Sequence, residues 1–230
     1  MNELFTTSAF AGVTLSLLSY MLGVHLKKRF KFAFLNPLLI SIVVTILVLL
    51  LGKVDYKAYN SGAQYLSWFL TPATVCLAIP LYEEFSLLKN NLKAVIVGII
   101  SGVLTSLITV FVLALIMGLS HTEYVTLLPK SITTAIGMGV SEELGGYVTI
   151  TVAVIVITGV LGNILAEPIC KLFKITEPIA KGIAIGSSSH AIGTAKAMEM
   201  GEIEGAMSSL SIAVAGILTV VGASVFSYLL

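Results

Sequence analysis

A proline, a lysine and three hydroxyls stand together at Pro129, Lys130, Ser131, Thr133 and Thr134, inside a chain that is otherwise strongly apolar. A cation, a helix N-terminus and several hydroxyls are the combination that holds a small carboxylate. Pro129 suits the first turn of a helix, which places free N–H groups and a positive dipole end beside Lys130. The competing reading is that Lys130 reaches to a membrane interface while the hydroxyls bond carbonyls of their own helix. Glu142 and Glu143 close this segment. They are candidates for a coupling proton or cation, although an acidic pair at a segment end is more often a solvated cap.

A second cluster runs from Gly186 to Lys196 and holds Ser187, Ser188, Ser189, His190 and Thr194, with glycines at 182, 186 and 193 that permit close backbone approach. An imidazole at membrane depth titrates near neutral pH and can relay a proton; the alternative is a buried, hydrogen-bonded structural histidine. A third cluster, Leu70–Pro80, carries Pro72 and Pro80 around Thr74. Two prolines eight residues apart make an unbroken helix improbable, and backbone freed in a membrane needs protein or a watery cavity as partner. A Pro-kinked packing helix is the plainer account. Asn163 sits within an apolar run, where an amide can serve coupling or simply join helices. Glu167 and Glu199 are secondary candidates.

The elements that must position these groups follow from composition. Over 230 residues, 57% are hydrophobic and only 11% charged, against about 25% charged in soluble domains. So few charges cannot cover a water-facing surface, so the chain is an integral membrane protein. A net charge of +1 and the absence of a large basic patch exclude nucleic acid as a partner. Cys76 and Cys170 lie in or beside apolar runs and read as small buried hydrophobes rather than a disulfide framework. No metal-spaced cluster, phosphate loop or nucleophile elbow is present, so neither an enzyme nor a cofactor is expected.

Six uncharged stretches reach spanning length: Leu4–Val24, Phe32–Gly52, Ser61–Tyr82, Ala94–Ser120, Leu144–Ala166 and Gly205–Leu230. Ser131–Ser141 and Gly182–Ala195, with 11 and 14 residues, are too short and read as re-entrant or broken helices. The expected fold is therefore an all-α polytopic membrane domain over 1–230, with six spans and two such segments. With the N-terminus outside and both short segments re-entrant, ten lysines and arginines fall inside and three outside, as the positive-inside rule asks. Letting both span gives seven against six. Letting only the second span gives nine against four, which stays open. In the six-span arrangement the short segments enter from opposite faces and meet near the midplane. The N-terminus lacks the basic start of a signal peptide, and a bacterial plasma membrane is the expected location.

Shifting the chain by 57 residues aligns Pro72 with Pro129, Ala78 with Ala135, Leu87 with Leu144, and Gly102-Val103-Leu104 with Gly159-Val160-Leu161. Units of about 66–120 and 127–170 are thus predicted to be a duplication, inverted in the membrane as in many secondary transporters.

At these segments the chain resembles the LrgB/CidB family. The resemblance rests on Leu128-Pro129-Lys130-Ser131-Ile132-Thr133-Thr134, Ser141-Glu142-Glu143-Leu144-Gly145-Gly146, Ser189-His190-Ala191-Ile192-Gly193-Thr194-Ala195 and Gly201-Glu202-Ile203-Glu204-Gly205-Ala206. It covers nearly the whole chain. One departure is Ala135-Ile136-Gly137, where the family is expected to carry Pro-Ile-Ala; it puts the exact break in that helix in doubt. The resemblance implies two layers of function. Bacterial members are described as antiholin-like or holin-like modulators of murein hydrolase activity and lysis, with a smaller LrgA/CidA-type partner. The related plant protein is a plastid glycolate/glycerate translocator, and bacterial relatives are linked to pyruvate and similar acids. The residues themselves favour a secondary transporter of small monocarboxylates, proton- or cation-coupled and homo-oligomeric, with lysis modulation as the alternative. A structural scaffold needs no broken polar segments.

Overall fold

The computed structural model describes residues 5, 7–30, 35–76 and 78–230, and every regular element among them is helical. The chain groups into two compact units, Met1–Cys76 and Leu77–Leu230.

The first unit holds α1 (Ala9–Phe30), α2 (Pro37–Leu51), α3 (Tyr56–Ala63), a 3-10 turn (Gln64–Phe69) and α4 (Leu70–Cys76). The Asn36 side chain accepts from the Leu38 and Leu39 amides and Pro37 takes the first position, which fixes the start of α2. Backbones approach closely at two glycines of α1. A Cβ on Gly23 would lie 2.6 Å from the Pro37 carbonyl oxygen, and one on Gly12 would overlap the Tyr59 carbonyl. Ser16 and Tyr59 join their hydroxyls at 2.7 Å.

The second unit holds α5 (Ala78–Glu83), α6 (Phe85–Asn90), α7 (Leu92–Met117), α8 (His121–Leu127), α9 (Thr134–Glu143), α10 (Val148–Leu172), α11 (Pro178–Met200) and α12 (Glu202–Phe226). Its core runs down one face of α7 through Val95, Ile99, Val103, Leu107, Val110 and Ala114, at the three- and four-residue spacing of a helix face.

Among the described residues, four helices are long and apolar enough to cross a bilayer: α1, α7, α10 and α12. The remaining two expected spans differ. Within Phe32–Gly52 the helix is the 15 residues of α2, about 22 Å long. Within Ser61–Tyr82 the described residues form the end of α3, the 3-10 turn, α4 and, past Leu77, which lies outside the described residues, α5. Pro72 is the third residue of α4, where a missing N–H is tolerated. The exposed face of α4 carries Cys76, which corrects its expected burial; Cys170 is buried as expected.

α11 is a helical hairpin. His190 has φ 42° and ψ −145°, which separates 178–189 from 191–200. Residues packed against each half show the reversal. Gly182 and Gly186 abut Glu204 and Ser208 of α12 in ascending order, whereas Thr194 meets Ser208 and Met198 meets Gly205 in descending order. Both ends of α11 therefore return to one end of the unit, where Lys181 pairs with Glu204 at 3.5 Å and Lys196 with Glu167 at 3.3 Å.

α8 and α9 form a second hairpin from the other end. Ser141 on α9 and Thr126 on α8 both bond Thr151 near the start of α10, and the Tyr124 hydroxyl donates to the Phe226 carbonyl at the end of α12. The turn lies at 128–133. Pro129 was expected in the first turn of a helix; instead α8 stops at Leu127 and α9 begins at Thr134. Leu128 keeps helical backbone (φ −52°, ψ −46°), but Pro129 has no amide proton to extend the helix, so the chain turns after it through Lys130 N–H to Leu127 and Ile132 N–H to Pro129.

A shift of 57 residues also relates secondary structure. It carries α7 onto 149–174, against Val148–Leu172 for α10, and Ala78–Glu83 onto 135–140, within α9.

Candidate functional site

The turn of the α8–α9 hairpin and the first half of the α11 hairpin border one cavity of about 830 Å3. α7 supplies a wall through Gly98, Ser101, Gly102, Thr105, Ser106 and Thr109; the first half of α11 supplies Ile183, Ala184, Ser187 and Ser188; Lys130 and Ser131 close one end. Asn91 and Glu177, just before the first residues of α7 and α11, stand at the other. The cavity thus runs from the end carrying the bases of α7 and α11 up to the turn at Lys130.

Small residues make this packing possible. A Cβ at Gly98 would stand 3.2 Å from Ile183 and one at Gly102 would stand 2.7 Å from the Ser187 hydroxyl, so α7 and α11 approach along their glycines. Among the described residues, Lys130 is the sole basic residue on the wall and Glu177 the sole acidic one. The Lys130 ammonium donates to Ser131 Oγ at 2.9 Å, and Ser131 Oγ lies 3.1 Å from Ser106 Oγ. Lys130 has no carboxylate partner among the described residues. An ammonium has three protons, so donors remain for an acceptor in the cavity.

The other hydroxyls are differently placed. Ser187 donates to the Ile183 carbonyl and Ser188 to the Ala184 carbonyl, each at 2.7 Å. Ser101 donates to Gly98 at 2.8 Å and Thr105 to Ser101 at 2.7 Å. With their protons spent on their own helices, they turn lone pairs toward the cavity. A carboxylate accepts only, so Lys130 is the group that meets it.

Among the predicted residues the structure brings Lys130, Ser131, Ser187 and Ser188 together. Pro129 is buried in the turn behind Lys130, and Thr133 and Thr134 start α9 half-buried; none of these three lines the cavity. Because α9 starts at Thr134, no helix N-terminus begins at Pro129. Glu142 and Glu143 are exposed at the far end of α9. The Thr74 side chain lies outside the described residues.

Ser189, His190, Thr194 and Asn163 hold the α11 hairpin rather than face the cavity. His190 Nε2 lies 3.0 Å from the Ile155 carbonyl, Asn163 donates to the Ile192 carbonyl at 2.7 Å, and Thr194 Oγ1 reaches the His190 carbonyl at 3.0 Å and Ser208 Oγ at 2.7 Å. Ser189 packs on Gly162, and His190 on Gly159. These are the structural roles weighed for His190 and Asn163 from sequence. Sequence reasoning missed the α7 wall, although Ser101, Thr105 and Thr109 recur every four residues in an apolar helix and so share one face.

The family model described as the LrgB-like family matches residues 16–229. Proteins called "Antiholin-like protein LrgB" from Bacillus cereus strains B4264 and AH187, and from Bacillus anthracis strain CDC 684 / NRRL 3495, are each 37% identical to this chain over 217 residues, covering 94% of either sequence. No solved structure matches it. Motifs in order over the chain, a matching family model and relatives of the same length agree: this chain is a multi-pass membrane protein and belongs to the LrgB-like family.

Proposed function

We propose that this chain carries small monocarboxylates of the glycolate, lactate or pyruvate kind across a bacterial plasma membrane. The observation that supports this reading best is one cavity bordered by two oppositely entering hairpins, with Lys130 as its sole lining cation among the described residues. Alternating access needs such a central site between elements that can each open toward one side. The reading includes six spans with an outside N-terminus and an inverted duplication; the 57-residue correspondence of α7 with α10 supports it, as does the lysine-rich end shared by the bases of α10 and α11. His190 and Asn163 enter as positioning residues for the α11 hairpin, and the proton or cation that drives uptake is left to experiment.

A second reading is antiholin-like control of murein hydrolase activity and lysis with a small LrgA/CidA-type partner. The names of the Bacillus relatives favour it more directly than they favour transport. The two join if movement of metabolic acids is what alters lysis.

Uptake of labelled glycolate, lactate and pyruvate into proteoliposomes, with and without a pH gradient, tests the first reading. Saturable uptake that Lys130→Met abolishes supports it. A protein that transports none of the acids yet still restores lysis control in cells lacking it would leave only the second.

A further inference from the structure

A second cavity, of about 820 Å3, opens at the base of the α11 hairpin, and no residue lines both cavities. Its walls carry Lys171, Lys174, Lys181 and Lys196 against Glu167, Glu199 and Glu204. The carboxylates are engaged: Glu204 with Lys181 at 3.5 Å, Glu199 with Lys196 at 3.4 Å, and Glu167 with both Lys196 at 3.3 Å and Lys171 at 2.8 Å. Lys171 thus shares its partner and is 76% exposed, and Lys174 has no carboxylate partner among the described residues. Four ammonium groups face three carboxylates, so one positive charge is left over at the rim, where Lys174 and the exposed Lys171 stand.

The backbone at Lys174 adds a second observation. Lys174 has φ 55° directly after α10, and the Ile175 N–H reaches back to the Cys170 carbonyl at 2.8 Å. This left-handed cap position is one that glycine takes with least strain. A lysine here sets an ammonium at the mouth of the cavity, beside the C-terminal end of α10.

Beside the cavity, on the outer face of α10, runs an apolar track. Ile157, Leu161, Leu165, Ile169 and Leu172 recur at intervals of three or four, line no part of the cavity and are 42–75% exposed, in a helix long and apolar enough to cross a bilayer. A ligand complementary to both features has a phosphate at one end and a hydrocarbon chain at the other. Free phosphate leaves the track unused, and a zwitterionic headgroup brings its own cation toward the lysines.

We infer that this cavity binds the headgroup of an anionic phospholipid, with the phosphodiester at Lys171 and Lys174 and an acyl chain along the α10 track. This is independent of the carboxylate reading of the first cavity.

The test uses the full chain purified in a neutral detergent, with retained lipid read by native mass spectrometry and Tm followed during additions of phosphatidylglycerol, phosphatidylcholine or inorganic phosphate. Phosphatidylglycerol should be retained and raise Tm, and the other two should not. Lys171→Gln/Lys174→Gln should weaken phosphatidylglycerol binding at least tenfold, while Lys89→Gln/Lys93→Gln, which removes as many exposed charges elsewhere, should leave it intact. An unchanged lipid-free Tm shows that the first double variant is folded; a lowered one moves the comparison to Lys171→Arg/Lys174→Arg, which should bind phosphatidylglycerol as the parent does. The inference is overturned if phosphatidylcholine equals phosphatidylglycerol, if inorganic phosphate alone reproduces the Tm shift, if the glutamine variant binds like the parent, or if the arginine variant does not bind.

Discussion

His190 and Ile155 are joined across two helices, imidazole Nε2 to backbone carbonyl at 3.0 Å, at the one residue where α11 reverses. A carbonyl has no proton to give, so Nε2 carries the hydrogen and the tautomer is fixed. The ring is 3% exposed and abuts Gly159, where any Cβ would lie 2.7 Å from Cε1. His190 therefore acts as a pin through the hairpin tip.

The pin holds a backbone conformation that disfavours any side chain, since φ 42° with ψ −145° falls in territory used mainly by glycine and costs about 1–3 kcal/mol. His190→Ala and His190→Gly both lose the imidazole bond, worth about 0.6–1.5 kcal/mol. Only the glycine variant relieves the strain. His190→Gly should therefore be more stable than His190→Ala by about 1 kcal/mol or more, the reverse of their order in an ordinary helix, as read by denaturant unfolding in detergent. An alanine variant at least as stable as the glycine variant would show that the backbone at 190 is unstrained.

Gly162 makes room for Ser189, which a Cβ at that position would overlap. Gly162→Ala should cost about 1–3 kcal/mol through overpacking, and adding Ser189→Gly should return part of that loss. Additive losses in the double variant would mean the two residues do not share the contact.

Much of this was legible in the sequence, because charge and periodicity report solvent directly. The spans at α7, α10 and α12 follow from apolar length, and Lys130 with Ser131 follow from polarity in the wrong medium. The hairpin turn at Pro129 was misplaced by one element because proline is equally at home in a first helical turn and just beyond a helix end. His190 was legible as buried and not as a pin, since its partner is a backbone carbonyl that no residue type encodes. The α7 hydroxyls escaped because serine and threonine in an apolar helix are ordinarily silent, satisfied by the carbonyl four residues back.

The hairpin reading of α11 places Lys174 and Glu199 at one end of the unit, although 23 helical residues separate α10 from α12. In a background of Cys76→Ser and Cys170→Ser, cysteines at 174 and 199 should react with an impermeant thiol reagent from the same side, and a cysteine at 121 from the opposite one. Reaction at 174 and 199 from opposite sides would make α11 a membrane crossing rather than a hairpin.

Ser120 caps α8 and receives Glu123 in return, its amide and hydroxyl donating to the carboxylate at 2.8 and 2.7 Å. These bonds hold the Glu123 carboxyl below its usual range, the Ser120 hydroxyl contributing most. A depressed folded-state pKa contributes stability that is present above the unfolded value of about 4.3 and lost as pH falls through the folded value. Protection factors of the amides in His121–Leu127, taken relative to intrinsic exchange at each pH, should therefore fall as the buffer is acidified below that value. Ser120→Ala should remove most of the acid dependence; if it leaves the profile unchanged, the capping box is not its source.

Lys130 carries the test of substrate charge. If its free protons meet a carboxylate, the charge-assisted bond is worth about 1.5–3 kcal/mol. Lys130→Met keeps the apolar stem and removes the cation, so affinity for the acid should fall roughly tenfold to a hundredfold. Ser131→Ala removes one neutral partner and should cost about 0.5–1.5 kcal/mol. Ser187→Ala and Ser188→Ala should cost less again, because their protons already serve Ile183 and Ala184. Lys57→Met, on an exposed lysine of α3, is the control and should change nothing. The ordering decides the matter more firmly than any single value. Equal binding by the Lys130 and Lys57 variants would make Lys130 an interfacial anchor and overturn the carboxylate reading of this cavity.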